Sequence, residues 1–143
     1  MTDPQAPEAT YRKPLPSPND TSRPFWDGLQ QGRLLIQLSK TTGNHVFYPR
    51  EASPFGAGDE LEWVEASGRG TVYAFTIARR PPAAPWADDV PYVYAIVELA
   101  EGPRLTTNIV ECDPESVAIG MAVEASFDHV TPEVTLLKFK PVS

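Results

Sequence analysis

Cysteine is almost absent from this chain of 143 residues. The one cysteine, Cys112, has no partner in the chain, and this excludes an intrachain disulfide framework. The histidines His45 and His129 complete the set of soft metal ligands, and the three residues stand at no spacing typical of a zinc site. We expect all three to be scattered residues without a shared chemical role.

Positive charge and long apolar runs are also scarce. Twelve Lys and Arg against nineteen Asp and Glu give a formal net charge of −7, which argues against a protein that binds nucleic acid over its whole surface. No segment approaches the ~18 apolar residues of a membrane-spanning helix, and the N-terminal residues lack the apolar region of a signal peptide. We therefore expect a soluble, cytoplasmic protein in a reducing compartment.

The chain carries no catalytic signature. It lacks the G-x-S-x-G motif of a hydrolase nucleophile, and the SGRG stretch at Ser67–Gly70 does not match a phosphate-binding loop. The carboxylate pairs Asp88 with Asp89 and Glu98 with Glu101 are typical of solvated loops and turns, and the sequence gives them no general acid–base geometry. We predict no catalytic residue.

Proline, by contrast, is abundant, with 16 residues that cluster at positions 4–24 and 81–91. The first cluster predicts a flexible Pro-rich arm over residues 1–19, because this segment has little apolar surface to bury. The alternative is an arm that lies on a partner and is anchored by Tyr11 and Leu15.

Residues 21–32 predict a short helix. Thr21 or Ser22 can cap its start, Pro24 suits the first turn, and Gly32 is typical of a helix end. Its apolar side chains fall on one face: Phe25, Trp26 and Leu29. That face predicts packing against another element.

From residue 33 the apolar period changes to two, which predicts strands. The predicted strands are 33–38, 45–48, 61–65, 70–79, 92–99, 105–111, 121–128 and 134–139. In the fourth strand, Tyr73, Phe75 and Ile77 are expected to share one face. Residues 68–139 hold five of these strands, with one helical turn capped by Asp113 between the third and fourth. This order favours a five-stranded Greek-key barrel of the OB type, and a five- or six-stranded sandwich is the alternative.

The loop 79–91, RRPPAAPWADDVP, is the most unusual surface segment. Two cations, Arg79 and Arg80, precede prolines that restrict the backbone, and Trp86 is large and aromatic. Because an exposed Trp leaves much apolar area in water, Trp86 is expected to bury either in its own barrel or against a partner or ligand.

Four segments occur in an order that is more specific than any one of them: PFWDGLQQGRLLIQ, LEWVEASGRGTVYAFTIARRP, PYVYAIVELAEGPRLTTNIV and IGMAVEASF. Two polar turns follow the first segment. The arrangement resembles the rubredoxin-like zinc-ribbon plus OB-fold proteins of bacteria and archaea, domain-of-unknown-function family 35, over about residues 20–140. The resemblance implies a mainly β fold, with an N-terminal helix and zinc ribbon over 20–66 and an OB barrel over 67–143.

The family's ribbon reads C-x-x-C-G, a short hairpin and then C-P-x-C-G. In the stretch Gln37–Gly58, the four ligand positions fall on Ser39, Thr42, Ser53 and Gly56. Hydroxyls are poor zinc ligands beside thiolates, and Gly offers no side chain. A degenerate, metal-free ribbon without a cofactor is therefore predicted. Partner contact or apolar packing has to replace the metal, and the packing candidates are Val46, Phe47, Tyr48, Leu61 and Trp63.

The resemblance also implies association with an enzyme. Family members bind thiolase-like and related acyl-CoA enzymes, complete their assemblies and help to shape the path of the CoA thioester. We therefore expect a non-catalytic accessory subunit of a thiolase, aldolase or acyltransferase, in a hetero-oligomer. The residues nominated for contact with the partner or with CoA are Phe25, Trp26, Phe47, Tyr48, Arg69, Arg79, Arg80, Trp86 and Arg104.

Two other interpretations remain open. A stand-alone CoA or acyl-CoA binding module would need cations for phosphates and an aromatic surface for adenine. The side chains available for this are Arg69, Arg79, Arg80, Arg104, Lys138 and Lys140 with Trp86 or Tyr94. A single-strand nucleic-acid binder would use aromatic stacking and a basic groove on the OB barrel, which the acidic composition disfavours.

Overall fold

A short helix precedes all the strands. The computed structural model describes residues 11–143, and residues 1–10 of the predicted Pro-rich arm lie outside the described residues. Helix α1 spans Arg23–Gln30, with Pro24 in its first turn as predicted. Ser22 occupies the N-cap position, although its hydroxyl makes no capping bond. No helix in the described part of the chain has the length and apolar character to cross a membrane.

Three strands form the predicted ribbon sheet: β1 (Leu35–Ser39), β2 (His45–Val46) and β3 (Leu61–Glu65). Both outer strands pair antiparallel with β1, in the order β2-β1-β3. The predicted strand over 45–48 was too long, because Phe47 and Tyr48 leave the sheet. Phe47 packs edge-on against Phe25 with ring centroids 5.3 Å apart.

Five further strands close into a barrel: β4 (Arg69–Ala78), β5 (Tyr92–Leu99), β6 (Arg104–Ile109), β7 (Ala122–His129) and β8 (Thr135–Pro141). Their order around the barrel is β4-β5-β6-β8-β7. Asp113 caps a short 3-10 turn over Pro114–Ser116 by accepting the Glu115 N–H. The closed barrel confirms the OB-type fold and excludes the sandwich.

Strand β4 contains an irregularity that overturns one prediction. The pairing of β4 with β5 shifts register between Val72 and Ala74, which is the mark of a β-bulge. Val72 is buried, and Tyr73 is 46% exposed, while Phe75 packs partly against the core. Tyr73 therefore does not share a face with Phe75, because the extra residue of the bulge reverses the alternation.

The helix, the ribbon and the barrel contribute to one hydrophobic cluster. Leu29 of α1 and Ile36 of β1 have no exposed surface, and they lie in the same cluster as Val97 and Phe139 of the barrel. The predicted packing of the ribbon is present in part, since Val46 is buried. The predicted domain boundary between residues 66 and 67, which separates the helix and ribbon from the barrel, stays a prediction.

A polar network also joins the helix to the barrel. The Gln30 amide donates to the Pro132 carbonyl at 2.9 Å, which turns its Oε1 toward Thr135. The buried Thr135 hydroxyl donates to that oxygen. His129 Nδ1, 2.6 Å from the same hydroxyl, must then be the donor, because the Thr135 proton is already used.

Candidate functional site

Two of the four positions that would hold the metal in the family's ribbon converge on a carboxylate. The Ser39 hydroxyl donates to Asp59 Oδ2 at 2.6 Å, and the Ser53 hydroxyl donates to the same oxygen. The Thr41 N–H donates to Asp59 Oδ1 at 3.0 Å. One side chain thus ties both turns of the ribbon together.

The hydroxyl oxygens at these positions are also occupied as acceptors. The Thr42 N–H donates to Ser39 Oγ at 3.0 Å, and the Phe55 N–H donates to Ser53 Oγ at 3.0 Å. Thr42 Oγ1 accepts the Asn44 N–H at 3.1 Å. Three hydroxyls engaged in this way, with Gly at the fourth position, do not fit a zinc ion, which prefers thiolate or imidazole ligands.

The charge on Asp59 is the centre of this arrangement, which we call the Asp59 network (Ser39, Thr41, Ser53 and Asp59). The Ser39 and Ser53 hydroxyls, helped by the Thr41 N–H, hold the pKa of the Asp59 carboxyl well below its usual range. Each donor stabilises the ionised form more than the protonated form. The carboxylate is therefore ionised throughout the neutral pH range.

We predict that the purified protein contains much less than one zinc ion per chain. Among residues 11–143, no three His, Cys, Asp or Glu side chains converge in a way that could hold a metal. Elemental analysis by mass spectrometry measures the zinc content, and a chelator should leave the thermal midpoint unchanged. Stoichiometric zinc, or unfolding on chelation, would contradict the prediction.

Four of the nominated aromatic residues come together beside the barrel. Phe25, Trp26, Phe47 and Tyr48 line one side of a cavity of about 560 Å³, and Leu105 on strand β6 lies among its other walls. The Phe25 and Trp26 rings meet edge to face at 5.0 Å. We call this cavity the aromatic end of a groove.

The barrel strands behind this cavity diverge. Strands β6 and β8 form one register pair, Ile109 with Phe139, in a parallel arrangement. Earlier in β6, the Thr106 N–H donates to the Tyr48 hydroxyl at 3.0 Å instead of to β8. The Thr107 hydroxyl crosses the gap to the Leu137 carbonyl at 3.0 Å.

A larger cavity of about 840 Å³ adjoins the first, and we call it the acidic end of the groove. The two cavities share four lining residues: Tyr94, Asn108, Leu136 and Lys138. Trp86 of the Pro-rich loop and Tyr11 line the acidic end. Trp86 is partly buried there, so it faces a cavity of its own chain. Burial raises the pKa of the Tyr11 phenol, and the nearby Lys13 ammonium opposes that shift.

The nominated arginines lie away from the groove. Arg104 stacks on the Tyr73 ring at 3.7 Å and pairs with Glu98 at 2.9 Å. Arg79 pairs with Glu115 at 2.6 Å. Arg69 and Arg80 are exposed and line neither cavity. The proposed cations for CoA phosphates therefore do not converge, and Lys138 is the member of that set that lines the groove.

Sequence reasoning did not identify Asp59, and it did not link Tyr94 or Lys138 to a groove. Asp59 follows a glycine-rich turn and looks like a solvated loop charge. The alternation of apolar residues in β5 places Tyr94 on the outer face, where it is 51% exposed, but the pattern does not predict which residues lie beside it. No local pattern marks Lys138, because its role depends on the position of strand β8 beside β6.

Comparison with known proteins shows the family. The chain is 36% identical over 125 residues to a DUF35 domain-containing scaffold protein of Methanocaldococcus jannaschii, covering 82% of this chain and 88% of the relative. The chain belongs to the DUF35 family. Residues 63–128 of this DUF35 protein also match the family model described as the C-terminal OB-fold domain of ChsH2.

A solved structure supports the same family assignment. This DUF35 protein is 35% identical to a chain of the "Ltp2-ChsH2(DUF35) aldolase", with a TM-score of 0.79 over 89% of this chain and 98% of that one. It is also 36% identical over 129 residues to the "Probable enoyl-CoA hydratase alpha subunit" of Thermomonospora curvata. The match covers 90% of this DUF35 protein and spans 40% of the length of that relative.

Proposed function

We propose that this chain is a non-catalytic accessory subunit of an acyl-CoA-processing enzyme. Its partner is a thiolase-like or other acyl-CoA-processing enzyme, such as a thiolase, an aldolase or an acyltransferase, and the two form a hetero-oligomer. In that assembly the subunit helps to complete the site that receives the CoA thioester.

The similarity to the DUF35 chain of an aldolase complex carries the proposal. That chain is matched over 98% of its length at 35% identity, so nearly every part of its fold has a counterpart in this protein. The scaffold name of the archaeal relative, matched over 88% of its length, supports a role in assembly. The enoyl-CoA hydratase name of a third relative points to the same class of substrate.

The surface chemistry fits a protein partner. Tyr48 and Tyr94 are each 51% exposed, and Trp26 lies beside Tyr48 in the aromatic end of the groove. Tyr and Trp are the residue types enriched at interface hot spots, because they offer a large contact area at little conformational cost. Catalysis would then be supplied by the partner.

Co-expression with a thiolase-like enzyme from the same organism tests the role. We expect the two chains to elute as one species in size-exclusion chromatography with light scattering. The complex should turn over a CoA thioester more efficiently than the partner alone, because the subunit completes the substrate path. The isolated subunit should show no turnover.

Two separate elution peaks at micromolar concentrations would contradict the proposal. Turnover by the isolated subunit would contradict its non-catalytic part. Calorimetric titration of the isolated subunit with acetyl-CoA distinguishes the alternative of a stand-alone CoA module. We expect no binding heat in that titration, since the arginines do not converge.

A further inference from the structure

The two cavities beside strands β6 and β8 form one groove with different chemistry at its ends. Their shared wall, which includes Tyr94 and Lys138, makes them adjacent. The aromatic end is lined by the helix and ribbon aromatics, and the acidic end by the Pro-rich loop and the residues that follow β6. A ligand that fills both must be apolar in one part and charged in another.

The middle of the groove offers main-chain groups as well as side chains. Because β6 and β8 share one register pair, main-chain pairing between them does not extend along β6 before Ile109, where the Thr107 hydroxyl bonds to the Leu137 carbonyl instead. The Thr106 N–H meets a side-chain hydroxyl there, not a neighbouring strand. A strand edge that lacks main-chain pairing is complementary to another extended polypeptide.

The acidic end carries an excess of negative charge. Its lining holds four carboxylates, those of Asp88, Asp89, Glu111 and Asp128, against two ammonium groups, those of Lys13 and Lys138. Lys13 pairs with Asp89, and Lys138 pairs with Asp128 at 2.6 Å. Among the described residues, neither Asp88 nor Glu111 forms an ion pair; Arg12 lines an adjoining cavity with Asp88, and Glu111 accepts the Ser126 hydroxyl. The complementary ligand group is a cation.

We infer that this groove holds an extended segment of the partner enzyme, with apolar side chains at the aromatic end and a Lys or Arg at the acidic end. The segment lies beside the part of β6 that lacks main-chain pairing to β8, where the Tyr48 hydroxyl now accepts the Thr106 N–H. The inference rests on the proposed function, since it assigns a contact surface to the same partner.

The charge of the groove favours this occupant over a CoA thioester. The phosphates of CoA would meet the excess carboxylates of the acidic end, and like charges repel. A basic side chain next to Trp86 and Tyr92 gains both ion pairing and contact with aromatic rings.

Selection from a peptide display library tests the inference and does not require the partner enzyme. Random peptides of about twelve residues, long enough to span roughly 40 Å when extended, are selected on the folded full chain. We expect a consensus of alternating apolar residues with a Lys or Arg at one end. The selected peptides are then synthesised and their Kd values measured by fluorescence anisotropy.

Matched variants separate the groove from the rest of the surface. We expect Asp88→Lys to weaken peptide binding about tenfold at low salt, with a smaller effect at high salt because screening grows. Glu133→Lys makes the same charge change outside both cavities and should leave the Kd within about twofold. Tyr94→Ala should also weaken binding, whereas Tyr73→Ala, at a similarly exposed tyrosine outside the groove, should not.

Several outcomes would overturn the inference. In the selection, an acidic consensus or no consensus would do so. In the binding measurements, equal losses of affinity in the groove and control variants, or displacement of the peptides by acetyl-CoA, would do so. Self-association of the chain that Asp88→Lys abolishes would show that a second copy occupies the groove. The same variants are measured in the co-expressed complex. If the complex forms and Asp88→Lys and Tyr94→Ala leave its Kd unchanged, the groove assignment is wrong and the accessory role stands. If the peptides bind as expected but no complex forms, the accessory role is wrong.

Discussion

Replacing Asp59 with alanine is expected to open the ribbon while the barrel stays folded. The substitution removes the acceptor for two serine hydroxyls and one main-chain N–H. Ser39 has no exposed surface, so its hydroxyl cannot turn to water instead. A buried donor left without a partner is destabilising beyond the loss of the bond itself.

Hydrogen exchange measured by mass spectrometry locates the effect. We expect the amides of residues 37–61 to lose protection in Asp59→Ala, while the amides of strands β4 to β8 keep theirs. Ser39→Ala removes one of the three donors and should lower Tm by roughly 5 °C. Glu60→Ala is the matched control, because Glu60 is an exposed neighbour whose carboxylate pairs with the exposed Lys40. Equal stability of the Asp59 and Glu60 variants would contradict the proposed role of the carboxylate.

The Asp59 network also predicts a pH dependence. In the folded protein the pKa of Asp59 is depressed by its hydroxyl and N–H donors, compared with about 3.9 in the unfolded chain. The contribution of the ionised carboxylate is therefore complete above about pH 5 and is lost as the pH falls from about 4 toward the folded value. Asp59→Asn cannot titrate, so its Tm should change less than that of the wild type over this range. Parallel pH profiles would contradict the assignment.

Gly70→Ala is expected to destabilise the barrel, although it adds only one methyl group. A Cβ added at residue 70 would lie 2.5 Å from the Glu98 carbonyl oxygen and 2.8 Å from Val97 Cγ1. Gly70 pairs with Leu99 on one side and Val123 on the other. Since strands hold this residue from both sides, relief of the clash requires movement of the β5 backbone.

Urea unfolding gives the size of this effect. Overpacking in a closely packed region costs about 1–3 kcal/mol and at times more, which is a large share of the roughly 5–15 kcal/mol that stabilises a typical domain. Thr71→Ala is the control, because Thr71 is exposed in the same strand and the expected cost is below about 1 kcal/mol. If both variants unfold at the same urea concentration, the close approach of β4 and β5 is not important for stability.

The sequence predicted the elements well where local chemistry decides them. The apolar period of two, with turn residues between the runs, predicted the eight strands β1 to β8 with their ends correct to within about two residues. Asp113 followed by Pro114 predicted the short 3-10 turn. The same reasoning failed at Tyr73, where the bulge in β4 reverses the alternation. A bulge depends on the strand across the ladder, so a rule that uses only the periodicity of one strand does not detect it.

By itself, the sequence determined that this is a mainly β member of its family whose ribbon lacks zinc ligands. It did not show what replaces the metal, because Asp59 is 20 residues from Ser39 and looks like any turn residue. The tertiary structure alone decided the groove as well. Tyr48 reaches Thr106, 58 residues away, and Lys138 of the last strand forms part of the shared wall. Periodicity fixes which side of each strand is buried, but strand order and closure of the barrel decide which distant side chains meet.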